Sequence, residues 1–261
     1  MPNHYLQDLS VLFYKPCSLI FNHLRHLEKK HKGPKFKHSL MDRILLTLFK
    51  LKYQLPDRVL ETLFHIDHVT ISRYIARISQ CIAALNIRLS QPGYYIVDTT
   101  TIRIGKDKTS NTFSGYKHHH GLKYQCLINE NKEIVSISHG IASSIHDKKI
   151  FEIEYAKTFN NLNTRLKVLG DKAYVGLAKY HVETPFKHNE RRFKINKHKA
   201  TLNNKALSTK RIQVEHVFAW LKNYKILINP YYYAKQKIDV FVKAVCNIYN
   251  IIKSSRGIIT D

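Results

Sequence analysis

The chain has 261 residues, 44% of them hydrophobic, enough to bury a sizeable core and a small additional module. Forty-three lysines and arginines face 19 acidic residues, and the net charge of +24 runs along the whole length, which predicts a polyanionic partner. Sixteen tyrosines and twelve phenylalanines exclude a disordered basic protein. Residues 1–38 read as an N-terminal helical and basic segment. Leu9, Leu12, Phe13, Leu19, Ile20, Leu24 and Leu27 suit one or two helices broken near Lys15 and Pro16. The run from His26 to His38, closed by Gly33-Pro34, reads either as a solvated linker or as a phosphate-contacting arm.

Residues 39–90 read as an all-α domain. Ser39 can cap LMDRILLTLFKLK, with Leu40, Ile44, Leu48 and Leu51 along one stripe. Pro56 suits the first turn of DRVLETLFHI. Asp67 can cap HVTISRYIARISQCI, whose Val69, Ile71, Ile75 and Ile78 are expected to point inward. The short turn between the second and third helices makes a helix-turn-helix unit. LETLFHIDHVTISRYI resembles the helix-turn-helix of transposases and repressors at Leu60, Phe64, Ile66, Thr70, Ile71, Ser72 and Arg73. It departs from that pattern at His65, where the turn glycine is usual, and at Glu61, where a small residue packs. The resemblance implies docking on double-stranded DNA, with His68, Thr70, Arg73 and Arg77 available to the groove or the phosphates. An ordinary three-helix packing unit is the plain alternative.

Gln91-Pro92-Gly93 punctuates a linker that starts near Asn86. YYIVDTTTIRI, residues 94–104, is β-branched, aromatic and alternating, and reads as a strand. LKYQCLI and EIVSISHGI read as two more, joined in a hairpin at 129–132. SSIHDKKIFEIEYAKTF reads as a helix, and RLKVLG, residues 165–170, as a fourth strand. Residues 187–207 form a basic, poorly apolar segment. A helix over 208–224 follows, with Val214, Val217, Phe218 and Leu221 on its core face and Arg211, Glu215 and Lys222 together on a second face. DVFVKAVCNIYNIIK is a last apolar-periodic stretch. Residues 94–255 thus have the element order of an α/β layer whose first three strands run as a meander.

Asp98 stands in the middle of the apolar run IVDTTTI, where a carboxylate is costly unless paired or bound to a cation. Asp171 follows directly on the carboxyl end of the fourth strand, where a site residue is presented. With Glu215 they give three carboxylates on three elements of a very basic chain, a donor set that suits two divalent ions, Mg2+ or Mn2+. His118, His119 and His120 are consecutive and cannot all face one metal from a regular element; phosphate contact or a solvated loop suits them better. His146-Asp147 reads as a helix N-terminal cap, and Asp147 is the rival to Asp171 as second carboxylate. Trp220 reads as a core residue, with base stacking as the alternative. Cys17, Cys81, Cys126 and Cys246 form no CxxC, so neither a zinc cluster nor a disulfide framework is suggested. No apolar run approaches ~18 residues, and MPNHYLQDLS lacks a signal-peptide core, so a cytoplasmic protein with no membrane partner is expected.

Asp98, Asp171 within D-x-x-Y-x-G, and Glu215 within R-x3-E-x6-K look like the catalytic triad of DDE transposases, closest to the IS5-type insertion-sequence enzymes. The family signature Y-x2-R-x3-E-x6-K is matched at Arg211, Glu215 and Lys222, with Ser208 in place of the tyrosine. YKHHHGLKYQ, residues 116–125, and the His146-Asp147 pair are further family-like features. The resemblance covers residues 94–253. It implies an RNase H-like mixed sheet with flanking helices, transposon-end binding, and metal-dependent cleavage and strand transfer of DNA. It also implies that Asp98, Asp171 and Glu215 hold the metals, that Arg211 and Lys222 meet DNA phosphates, and that Tyr174 and Gly176 support the site. A homodimer or larger assembly on DNA follows from the need to bring two ends together, with association to the bacterial nucleoid when bound. Two alternatives stand beside it: an inactive transposase-derived DNA-binding regulator, and an RNase H-like nuclease. A helix-turn-helix speaks against the latter, because A-form grooves do not admit such a helix.

Overall fold

Ser39 opens the first of three consecutive helices with a reciprocal cap. Its hydroxyl accepts from the Asp42 N–H at 3.1 Å, and the Asp42 carboxylate accepts from the Ser39 N–H at 3.1 Å. The computed structural model describes residues 15–26, 37–105, 112–115, 118–161, 166–187, 196–229 and 235–257. The expected helix around Leu9, Leu12 and Phe13, Leu27, and most of the basic run before His38 lie outside those residues. In chain order the helices are α1 (15–26), α2 (Leu40–Tyr53), α3 (Asp57–Phe64), α4 (His68–Ala83), α5 (Asp147–Glu154), α6 (Ala156–Asn161), α7 (Lys197–Leu221) and α8 (Lys235–Gly257). The strands are β1 (Tyr94–Arg103), β2 (Phe113–Ser114), β3 (His119–Asn129), β4 (Ile134–Ile137), β5 (Ile141–Ala142), β6 (Lys167–Leu169) and β7 (Val182–Glu183). The described residues fall into two units: those of Met1–Ile87, Leu221–Asn229 and Tyr233–Asp261, and those of Arg88–Trp220 with Pro230–Tyr232.

The first unit is helical. Leu40, Ile44, Leu48 and Leu51 of α2 are buried, as their spacing requires. Buried Lys50 ties α2 to α3 by donating to the Leu55 carbonyl at 2.6 Å and to Asp57 at 2.7 Å. α3 ends at His65 in the left-handed conformation (φ 53°, ψ 39°), so this histidine takes the backbone shape that a glycine would give at lower cost. Asp67 caps α4 by accepting from the Thr70 N–H at 3.0 Å. Ile71, Ile75 and Ile78 are buried, but Val69 is 45% exposed. Two residues are about 200° on a helix, so Val69 points away from the face that Ile71 defines. The last helix, read from the sequence with residues 94–255, lies in this unit: Asn247 of α8 donates to the Ile82 and Leu85 carbonyls at 2.8 and 3.1 Å, around the C-terminal end of α4.

The second unit is built on a mixed sheet in the order β2-β3-β1-β6-β7, with β4 and β5 also pairing β3. The expected meander is present as β1, β3 and β4, antiparallel in turn, and Lys132 closes the β3–β4 hairpin at φ 61°. β6 returns parallel to β1 on the opposite edge, after α5 and α6. Phe151, Tyr155 and Phe159 of these two helices pack with Val97, Leu127, Val168 and Tyr174 in one buried cluster. The expected single helix here is broken at Tyr155. The Arg88–Gly93 linker is pinned by the hairpin: Glu133 accepts from the Ser90 N–H and hydroxyl, and Glu130 from the Gly93 and Tyr94 N–H groups.

The long helix differs from expectation at both ends. It starts at Lys197 rather than Ser208, with Asn196 accepting from the Lys199 N–H at 3.0 Å. Residues 197–207 are rich in lysine, alanine and leucine, good helix formers that need little core; Ala200 and Leu207 are the buried ones among them. The helix ends at Leu221, so Lys222 lies just beyond it. Val214, Val217, Phe218 and Leu221 are all buried.

Candidate active site

The register of the parallel pair β1–β6 sets the first two carboxylates. Ile96 pairs with Leu169, the last residue of β6; Asp98 stands two residues further along β1, and Asp171 two residues beyond the end of β6. Asp98 also pairs across β3 with Cys126. Its Oδ1 accepts from the Thr99 N–H at 2.7 Å, and its Oδ2 lies 3.5 Å from Nη2 of Arg211 on α7. Burial pushes the Asp98 carboxyl up to about 6; nearby Asp171 and Asp147 push the same way, while the Thr99 N–H and Arg211 oppose. Asp171 caps a short 3-10 turn by accepting from the Ala173 N–H at 2.8 Å.

Asp147 is the first residue of α5, and His146 caps that helix by accepting from the Lys148 N–H at 3.3 Å, as read from the sequence. The Asp147 carboxylate is met by Lys123 at 2.9 Å. Glu215 is exposed on α7, one turn after Arg211. The anticipated grouping of Glu215 between two cations is replaced by a pairing of Arg211 with Asp98, because β1 presents a half-buried carboxylate to the guanidinium.

Tyr174 is fully buried. Its hydroxyl lies 2.9 Å from Thr99 Oγ1 and accepts from Gln125 Nε2 at 3.0 Å; the same Nε2 donates to the Asp147 carbonyl at 3.0 Å. One phenol therefore braces the residue after Asp98 and, through Gln125, the backbone of Asp147. Gly170 packs closely beneath it, since a Cβ there would lie 3.0 Å from the Tyr174 side chain. Gly176 has φ +93°, and the Lys148 ammonium sits 2.7 Å from where its Cβ would be. Gln125, Lys123, Thr99 and Lys148 were not singled out from the sequence. Period-two alternation places Lys123 and Gln125 on one face of β3, and both lie inside the family-like run YKHHHGLKYQ. Tyr116 and Lys117 of that run lie outside the described residues; His119 and His120 begin β3 instead of lying in a loop, with His120 Nδ1 2.9 Å from Thr112 Oγ1.

Asp98, Asp171 and Asp147 are hard oxygen donors of the kind a divalent cation takes, and the charges of the latter two reach Asp98, although the three do not lie within ligating distance of one another; Gln125 Oε1 is buried without a hydrogen-bond partner. Asp98, Asp171 and Glu215 do not themselves converge to ligating distance; among the described residues Glu61, Asp67 and His68 do, on the α3–α4 turn. There His68 Nδ1 is 3.2 Å from Glu61 and 3.6 Å from Asp67, with its side chain 47% exposed. Arg73 and Arg77 are exposed on α4, and Thr70 is half-buried.

Comparison with known proteins covers the same segment. The family model described as DDE superfamily endonuclease matches residues 97–250. A probable transposase for insertion sequence element IS702 from Microchaete diplosiphon is 34% identical over 166 residues, which is 62% of this chain and 58% of that protein. The chain therefore spans less than two thirds of that relative's length. Because the family match takes in more than half of the chain and includes Asp98, Asp171 and Glu215, the chain belongs to the DDE superfamily of endonucleases.

Proposed function

We propose that the protein is a DDE transposase that binds transposon inverted-repeat ends and performs metal-dependent DNA strand cleavage and strand transfer, on an RNase H-like sheet. The observation that carries this reading is Asp98 on β1 feeling the charge of Asp171, which follows the end of the parallel strand β6, with Arg211 laid on Asp98 from the helix that bears Glu215. Asp98, Asp171 and Glu215 would hold two Mg2+ or Mn2+ ions. Bound there, such ions supply an activated water or 3′-hydroxyl and charge stabilisation at the leaving oxygen. Tyr174, Thr99 and Gln125 fix the carboxylate backbone, and Gly176 lets Lys148 close over the turn that follows Asp171. Arg211 and Lys222 serve phosphate contact near the reacting phosphorus.

α3 and α4 act in this reading as a helix-turn-helix on double-stranded DNA. Arg73, Arg77 and Thr70 face the duplex, and His68 acts at its margin through Glu61 and Asp67. The IS702 relative, named as a probable transposase, supports the assignment. The protein then works in the cytoplasm on the nucleoid, as a dimer or larger assembly that pairs two ends.

The test is Mn2+-dependent nicking of a fragment carrying the flanking inverted repeats, wild type beside Asp98→Asn, Asp171→Asn and Glu215→Gln. Nicking by wild type alone, with all four proteins binding DNA, is the expected result. Undiminished nicking in a variant removes that residue from the mechanism. End binding with no nicking by any of the four would instead identify a DNA-binding regulator.

A further inference from the structure

Arg211 and Glu215 are one turn apart on α7, a spacing at which such pairs commonly meet on a helix. Arg211 nevertheless lies on Asp98, with side chains only 17% and 22% exposed. The pairing is incomplete. The Nη2–Oδ2 separation is 3.5 Å, well beyond the usual ~2.8 Å of a charge-assisted hydrogen bond, and Arg211 Nε is buried with no hydrogen-bond partner. The other Asp98 oxygen is taken by the Thr99 N–H, and the nearby Asp147 has its own cation in Lys123. The guanidinium is thus the side-chain cation placed directly on the carboxylate that, in the proposed function, receives a divalent ion.

We propose that Arg211 is a resident counter-ion of Asp98 in the metal-free protein, and that it must leave Asp98 before a divalent ion binds there. The inference rests on the assignment of Asp98 as a metal ligand. Two cations on one carboxylate repel, so Arg211 and the ion compete for Asp98. The long contact and the unmet Nε make release inexpensive. Once released, the guanidinium is free for a DNA phosphate. By linkage, an anion that draws Arg211 away from Asp98 raises affinity for the ion, and the ion readies Arg211 for the anion. Order of assembly is then built into one side chain.

Mn2+ titration calorimetry on the full chain without DNA tests this, comparing wild type, Arg211→Gln and Asp98→Asn at one pH and salt concentration. Arg211→Gln is expected to bind Mn2+ about fivefold or more tightly than wild type, and Asp98→Asn to bind it more weakly. A gain in affinity is not what a merely structural role would give. If Arg211→Gln fails to fold by circular dichroism, Arg211→Met, which fills a similar volume without charge, is titrated in its place. Equal or weaker Mn2+ binding on removing the arginine, with Asp98→Asn still impaired, overturns the counter-ion role and leaves the metal site standing. Wild-type Mn2+ affinity in Asp98→Asn removes the ligand assignment and the inference with it.

Discussion

As a proposed metal ligand, Asp98 sets function against stability. Burial pushes its carboxyl up to about 6 in the folded protein, from an ordinary value of 3.8. A carboxyl with a raised folded-state value holds its proton more tightly in the folded chain than in the unfolded one. Its contribution to stability is therefore present below about pH 3.8 and lost as pH rises through about 6. In chelator at pH 7.5, Asp98→Asn is expected to be more stable than wild type by on the order of 2 kcal/mol, with most of that gain gone at pH 4. Urea denaturation at the two pH values measures it, and equal stability at pH 7.5 would count against the buried-carboxylate account. Tyr174 acts in the opposite sense. Tyr174→Phe leaves Thr99 Oγ1 and Gln125 Nε2 short of a buried partner, and a loss of roughly 1–3 kcal/mol is expected from the same denaturation experiment.

At the scale of elements, the α3–α4 turn combines a left-handed histidine with an acid-capped helix start. Holding His65 at φ 53° costs about 1–2 kcal/mol, while glycine is indifferent to that conformation but loses more chain entropy on folding. His65→Gly is expected to stabilise the protein by about 0.5–1 kcal/mol. His65→Val, β-branched, is expected to destabilise it, and the two thermal midpoints should move in opposite directions. Several expectations changed with the structure, three of them for a plainly local reason. Val69 lies about 200° from Ile71 and is exposed. Residues 197–207 continue the long helix on propensity and an Asn196 cap with little apolar periodicity. The stretch after His146 divides into α5 and α6 at Tyr155, whose ring joins the cluster with Phe151 and Phe159.

Over the whole molecule the dominant physical fact is the net charge of +24. Binding of such a chain to duplex DNA should release many counter-ions, so affinity is expected to fall steeply and linearly on a log–log plot against salt. Arg73→Ala and Arg77→Ala should each reduce that slope by about 1 if they sit on phosphates, as fluorescence anisotropy at several salt concentrations would show. A slope unchanged in both variants would move the duplex off α4. The membrane question is narrower: among the described residues no helix is long and apolar enough to span a bilayer.

The amino-acid sequence alone determined the class of the molecule, the helices of residues 39–83, the β1–β3–β4 meander, and the family to which the chain belongs. These are local signals: caps, periodicity of 2 or 3.6, and polar residues lodged in apolar runs. Tertiary structure decided which groups meet. Lys123, Gln125 and Lys148 became neighbours of the site through strand register and a positive-φ glycine, and Arg211 chose Asp98 over Glu215. Helix periodicity allowed either partner for that arginine. The choice fell to the pairing of distant strands, because parallel β1 and β6 gather carboxylates from residues 98 and 171 into one partly desolvated place, and a cation is worth most where water is least available.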